Sequence, residues 1–370
     1  MNKNSTDPHQ EHTVPQDHFE PRANIPSGAQ NEHQKTNNPT NQMGSEPNSQ
    51  LNAILASVTA GYKRIAIVGL AKNAGKTTVL NTLINWVAKQ DIKLGLASIG
   101  RDGEDTDLIT LEKKPRIHVP PGCFCVTTNK IANPIQGLAL EEALGEPGVL
   151  GIPGIYHAEQ KCQVELVGIN MVSAMSFALE RLSCLCDLVL VDGALDRRSF
   201  ALPSLVDGVI LATGGTVGNT VDLVVQRTLA QIRLLSLPQC STGNTIIPGA
   251  FTDRMAYELL RSSVATEATS DSTGVSAVDD QPSPPTTTHI IQVKDWTRIF
   301  LSPGVFDLLH SRGFSLCVAK QIQLAGITTN PYNPSGAWLD PLDLNNAMNQ
   351  ALANSGISVP CFDVVRKILL

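Results

Sequence analysis

Apolar runs and helix-compatible stretches alternate along most of the chain. The apolar runs are RIAIVG (64–69), LGLASIG (94–100), DLVLVD (187–192), GVILATG (208–214), NTIIPGAFTD (244–253), HIIQVKDWTRIF (289–300) and FSLCVAKQIQLAGITTN (314–330). Most end in glycine or a polar turn, as strands do. Residues 115–130 predict a Pro-terminated strand and then another, and 151–158 and 162–170 predict two more. Apolar spacing predicts a helix from the end of the first loop to about Lys89. It predicts others over 132–148 around Leu138–Leu144, over 173–185, over 220–236, over 254–263, over 304–312 and over 341–355. In the 173–185 helix, Met175, Ala178, Leu179 and Leu182 fall on one face. Several strands are apolar throughout, so both of their faces are buried. The expected fold class is α/β, a mostly parallel sheet with helices on both faces.

Two stretches break the pattern. Residues 1–50 are rich in Asn, Gln, His, Pro, Ser and Glu, with Phe19 the only aromatic. Such a segment buries too little apolar surface to offset its ordering entropy, so a disordered tail is expected. It holds His9, His12, His18 and His33, and a solvated tail is a simpler reading than metal binding. Residues 264–288 turn to Ser, Thr, Asp and Pro and read as a flexible insert. One α/β domain over 51–370 is the expected organisation.

Composition narrows the function classes. Lys and Arg number 28 against 34 Asp and Glu, a net charge of −6. That balance, with 4% aromatics, argues against a general nucleic-acid binder. No apolar run reaches the about 18 residues of a membrane span, and the N-terminus has no apolar signal core. A cytoplasmic location is the expectation. Of eight cysteines, Cys123/Cys125 and Cys184/Cys186 have C-x-C spacing, which on a strand puts both thiols on one face. Buried free thiols are the default expectation in a cytosolic chain, and neither pair has metal-ligand spacing.

The chemistry starts at 64–80, RIAIVGLAKNAGKTTVL. A β-forming run enters a loop closed by Gly75-Lys76-Thr77-Thr78, and a helix follows. This is the strand–loop–helix order of a phosphate-binding P-loop. Small residues let backbone N–H groups approach phosphate oxygens, and the helix N-terminus adds partial positive charge. Gly69, Lys72, Asn73, Ala74, Gly75, Lys76, Thr77 and Thr78 are the expected nucleotide contacts. Lys76 is expected on the β/γ-phosphates and Thr77 on Mg²⁺. The usual G-x(4)-G-K-[ST] spacing asks for glycine at position 70, where this chain has Leu70 after Gly69. The loop is therefore one residue out of register.

Two acids sit where a metal needs them. Asp192 ends an apolar strand and fits the strand-terminal carboxylate that coordinates Mg²⁺. Asp102 follows 94–100, expected to neighbour the 64–69 strand; a polar turn is the competing reading. Catalytic parts are expected of Lys76, Asp102 and Asp192, and metal ligation of Thr77, Asp102 and Asp192. Arg197 and Arg198 are placed to touch phosphate or to form surface ion pairs. The N-K-x-D loop of guanine selectivity is absent, because Asn129-Lys130 is followed by Ile131-Ala132. ATP is therefore favoured.

GLAKNAGKTT, SIGRDGE, KPRIHVPPG (114–122), VDGALDRRS, ILATGG and TTNPYNP together resemble the P-loop subunit of lysine 5,6-aminomutase reactivase. The resemblance runs in order from about residue 60 to the C-terminus. It implies an ATP- and Mg²⁺-dependent, chaperone-like ATPase (a hydrolase of the P-loop NTPase fold). Its task would be to release damaged cobalamin from an adenosylcobalamin-dependent aminomutase. It also implies a MutS-like second subunit as partner. On this resemblance the TTNP turn, with Asn330, is placed to contact the base. The loop also resembles those of dethiobiotin synthetase-like and MinD-like proteins, in which Lys72 would stand near a signature lysine. A biosynthetic ATP-using enzyme and a nucleotide-binding regulator therefore stay open as alternatives.

Overall fold

The structure is a computed structural model. It describes residues 47–99, 117–146, 148, 151–167, 169, 171–193, 202–270, 289–333, 336 and 338–365. Most of the expected tail, Asp102 with its neighbours, Asp196–Arg198 and residues 271–288 lie outside the described residues.

In chain order the elements are α1 (Pro47–Thr59), β1 (Arg64–Gly69), α2 (Lys76–Val87), β2 (Leu94–Ile99), β3 (Ile117–Val119), β4 (Phe124–Thr128) and the short α3 (Asn129–Ala132). Next come β5 (Leu138–Ala143), β6 (Pro153–Ala158), β7 (Cys162–Val164), α4 (Val172–Leu185), β8 (Leu188–Gly193), β9 (Gly208–Gly214) and α5 (Val221–Leu235). Then follow β10 (Thr245–Ile247), β11 (Phe251–Thr252), α6 (Asp253–Ser270), β12 (His289–Val293), β13 (Ile299–Phe300), α7 (Pro303–Ser311) and β14 (Phe314–Val318). The last are β15 (Gln323–Asn330), α8 (Pro341–Asn354) and β16 (Cys361–Asp363).

A nine-stranded sheet forms the body, in the order β16-β15-β9-β1-β8-β2-β4-β6-β5. From β16 to β4 every pairing is parallel; β6 pairs antiparallel with both β4 and β5, so among these strands β6 alone runs against the rest. Alternation along each strand divides the core into two layers. Ile65 and Ile67 of β1 face Leu55 and Val58 of α1 and Leu80, Leu83 and Ile84 of α2. Ala66, Val189 and Val191 face the other way, onto Met175, Leu179 and Leu182 of α4, Val224 and Ile232 of α5 and Met348 of α8. The mostly parallel sheet is thus covered by helices on both faces.

Between α5 and β15 the chain builds a second, smaller sheet. Strands β10, β12 and β14 pair in parallel, and α6 and α7 connect them. Phe251, Ile291, Val293, Ile299 and Leu309 form its own core. Its entry and exit are joined. Val318 N–H donates to Pro238 at 2.9 Å and Cys240 N–H to Val318 at 2.9 Å, and a disulfide links Cys240 to Cys317.

Several expectations change. Leu138–Ala143 is a strand, not a helix: pairing with β6 outweighs the helix propensity of LALEEA. NTIIPGAFTD is two strands in two sheets, broken at Pro248-Gly249. Helix α6 continues to Ser270, into the stretch expected to be linker. Cys184 and Cys186 lie at the end of α4, one exposed and one buried, so strand alternation does not apply. The Cys240–Cys317 bond overturns the expectation that all thiols are free. Helix α1 and strand β16 were not predicted. No helix among the described residues is long and apolar enough to cross a membrane.

Candidate functional site

Strand β1 lies near the middle of the sheet and delivers Gly69 at its carboxyl end. Leu70 N–H still donates to Ala212 of β9 at 2.9 Å, and then the chain leaves the sheet. Ala74 N–H closes a tight turn onto Ala71 at 3.2 Å. That turn needs Asn73 in the left-handed region, φ 62°, which asparagine tolerates better than most residues. Gly75 follows at φ 102°, a value that L side chains rarely adopt. Helix α2 then starts at Lys76, and Gly75 accepts from Val79 N–H at 3.0 Å. A glycine at this position brings no capping side chain. The first N–H groups of α2 therefore face outward without the usual Ser, Thr or Asp oxygen from that residue, an arrangement suited to an anion.

The Lys76 side chain folds back over the end of β1. A β-carbon at Gly69 would come within 3.1–3.2 Å of Lys76 Cγ, Cδ and Nζ. The glycine at 69 thus does the steric work that the usual spacing assigns to position 70: it clears the path of the lysine. Lys76 and Thr77 are half-buried, and Lys72 is half-buried within the loop. Asn73 and Thr78 are exposed, and Ala74 is buried.

Strand β8 is the direct neighbour of β1, with Ile67 paired to Asp192. Asp192 is half-buried and lies at the same end of the sheet as the loop. Strand β2 is not the neighbour that the sequence suggested. It pairs with β8, Ser98 opposite Asp192, and so stands one strand further from β1. Asp102, beyond its end, lies outside the described residues.

On the opposite flank β9 and then β15 follow β1. Asn330, 6% exposed, ends β15 and reaches under the loop. Its side-chain N–H donates to the Asn73 carbonyl at 3.2 Å, and its oxygen accepts from Tyr332 N–H at 3.1 Å. Gly75 packs against it, since a β-carbon there would stand 3.3 Å from Asn330 Cβ. Asn330 was expected to contact the base. Both ends of its amide engage the protein, which makes it a clamp on the loop. The clamp depends on Gly214: a β-carbon there would overlap the Asn330 carbonyl at 1.8 Å. Gly215 N–H donates to that same carbonyl at 2.9 Å. The ILATGG stretch, one of the motifs of the resemblance, ends in Gly214 and Gly215. Its paired glycines let β15 close on β9.

Asn129, of the failed N-K-x-D comparison, is remote from this site. It follows β4, and its side-chain oxygen accepts from Ile152 N–H at 2.9 Å. A cavity of about 260 Å³ touches the loop, lined by Leu70, Ala71, Thr216, Val217 and Arg227. A larger one, about 520 Å³, lies between α5 and the start of α7, away from the loop. Size does not choose between them. In open parallel sheets the carboxyl ends of the strands carry ligands, which favours the smaller.

Among the described residues no group of three or more His, Cys, Asp or Glu has the arrangement of a metal cage. Mg²⁺ seldom uses such a cage; one or two carboxylates with phosphate oxygens and waters suffice. Asp192 and the Thr77 hydroxyl are donors of that kind. No family model, curated protein or solved structure matches the chain.

Proposed function

We propose that this chain is a P-loop ATPase whose ATP and Mg²⁺ sit at the carboxyl ends of β1, β8 and β9. The observation that carries the reading is Lys76 folded over Gly69 at an N-terminus whose cap position carries no side-chain oxygen, beside a strand that ends in Asp192. A phosphate chain would be held by the backbone of 72–78 and by the Lys76 ammonium, a charge-assisted contact. Thr77 and Asp192 would hold Mg²⁺, together with Asp102 if that carboxylate reaches the site. The bound metal would supply charge neutralisation for phosphoryl transfer.

The biological task we propose is reactivation of an adenosylcobalamin-dependent lysine 5,6-aminomutase, in partnership with a MutS-like second subunit. It rests on the ordered motifs around the loop, of which VDGALDRRS and SIGRDGE are the most distinctive. The assay uses aminomutase blocked with hydroxocobalamin. Adding this protein, an active partner subunit, Mg-ATP and fresh adenosylcobalamin is expected to restore turnover. No recovery sinks the reactivase reading and leaves the ATPase reading standing.

A second reading draws on the cavity beside the loop, which has room for a small substrate. An ATP-using biosynthetic enzyme of the dethiobiotin synthetase-like class would show ATP turnover stimulated by a small carboxylate in the absence of any partner. A reactivase would show turnover stimulated by its protein partners.

A further inference from the structure

Beyond Asn330, Leu339 N–H donates to the Pro331 carbonyl at 3.2 Å, which ties these two residues together. Next to them Tyr332 and Trp338 meet edge to face with ring centroids 5.1 Å apart. Both are exposed, Trp338 by 59% and Tyr332 by 39%. The other two tryptophans, Trp86 and Trp296, are buried. An exposed aromatic pair is a ready surface for a flat ligand.

Its position says which ligand. Tyr332 N–H is bonded to the Asn330 amide, and that amide is bonded to the loop at Asn73. The backbone carbonyls of Pro331 and Tyr332 lie against Gly215 at the exit of β9. The aromatic pair is therefore fastened directly to the candidate phosphate loop. It stands on the β9/β15 flank of β1, whereas Asp192 stands on the β8 flank. A nucleotide has two ends. If the terminal phosphates and metal turn toward Asp192, the base turns toward the opposite flank.

We propose that the exposed Trp338 ring is the platform on which the nucleobase stacks, with Tyr332 set edge to face against it and Asn330 as the positioning residue that joins platform to phosphate loop. The proposal rests on the nucleotide reading of the loop. Stacking recognises the flat face of a base and not its edge, so purine nucleotides should bind with little discrimination between adenine and guanine. This is a different contact from a hydrogen bond between the base and Asn330.

Trp338 is its own reporter, because it is the exposed tryptophan. Titrating the full chain with Mg-ATP should quench its fluorescence, and Mg-GTP should do the same. Inorganic tripolyphosphate, which carries the phosphates without a base, should bind by calorimetry and leave the fluorescence unchanged. Trp338→Ala is expected to weaken ATP about ten-fold or more and leave tripolyphosphate affinity unaltered, whereas Trp338→Phe keeps most of the affinity. Tyr332→Ala, a second variant that leaves the tryptophan in place, should also weaken ATP selectively. If ATP binds without quenching and both alanine variants bind it normally, the platform is overturned and the phosphate loop stands. An equal loss for ATP and tripolyphosphate makes the pair a support for the loop and overturns base stacking. If the wild-type chain binds neither ligand, the nucleotide reading fails and the platform with it.

Discussion

The large, mostly parallel sheet and the small parallel sheet of β10, β12 and β14 are both built from βα units, yet the acids at their strand ends stand in different surroundings. In the large sheet Asp192 ends β8 half-buried, next to a loop that holds no side-chain cap. In the small sheet Asp295 follows β12 at the corresponding place, 2% exposed. Its carboxylate accepts from Thr297 N–H at 3.0 Å and from the Thr297 hydroxyl, capping the 3-10 turn Trp296–Arg298. One acid stands on the strand beside the candidate loop, and the other caps the turn that follows its own strand. An acid at the end of a parallel strand is thus no site by itself. What separates the two is the partner strand: β8 adjoins β1, which ends at Gly69 before the loop, while β12 adjoins β10 and β14.

The contrast can be broken in order of expected effect. Lys76→Ala should weaken ATP by at least about 100-fold by calorimetry, since it removes the charged contact to phosphate. Unchanged affinity would remove the loop from the ligand side of the comparison. Phe251→Ala, in the core of the small sheet, should cost about 3–5 kcal/mol in denaturant unfolding while ATP affinity below the transition stays the same. A loss of ATP binding by the folded variant would mean that the small sheet is not merely structural. Asp192→Ala should slow ATP turnover by about 100-fold and change ATP affinity only a few-fold. Equal turnover would put Asp192 in the same class as Asp295.

The smallest effect concerns the thiols. Iodoacetamide should label Cys184 first among the described free cysteines, because the others are buried. Burial pushes the Cys186 and Cys361 thiols up to about 12 from 9.0. Between these values the unfolded chain gives up its protons and the folded chain does not. Stability present below pH 9.0 should therefore fall as pH rises toward about 12, read by thermal unfolding. Flat stability over that range would contradict the burial of these groups.

The main sheet was readable from the sequence because its strands are apolar on both faces and end in Gly69, Asp192 and Gly214. Helices α2, α4, α5, α7 and α8 were readable by spacing, and all four apolar positions expected on one face of α4 are buried. Strand order was not readable. Nothing local in LGLASIG says that β8 will insert between β2 and β1, because parallel strands of similar composition are interchangeable until the connections are known. The edge strand β5 was missed because none of its six residues is fully buried, so no alternation of apolar and polar positions marks it. The part played by Asn330 was hidden for another reason. The motif marks a polar residue at a strand end, but its contacts at Asn73 and Gly75 are made across more than half the chain. The disulfide was likewise invisible, since eight cysteines leave their pairings open.

The stapled neck of the small sheet has a consequence for how such a chain could arise and be re-engineered. Pro238 and Val318 are hydrogen-bonded neighbours, so a detour whose cysteines, Cys240 and Cys317, are 77 positions apart begins and ends at one point. To the large sheet that detour is topologically equivalent to a hairpin between α5 and β15. Closing a longer excursion costs the parent fold only a logarithmic increment in chain entropy. A whole folding unit can therefore be spliced in, exchanged or excised there without re-registering a strand of the large sheet. Replacing 239–317 with a short glycine-serine bridge would be the natural way to reduce this chain to its nine-stranded body.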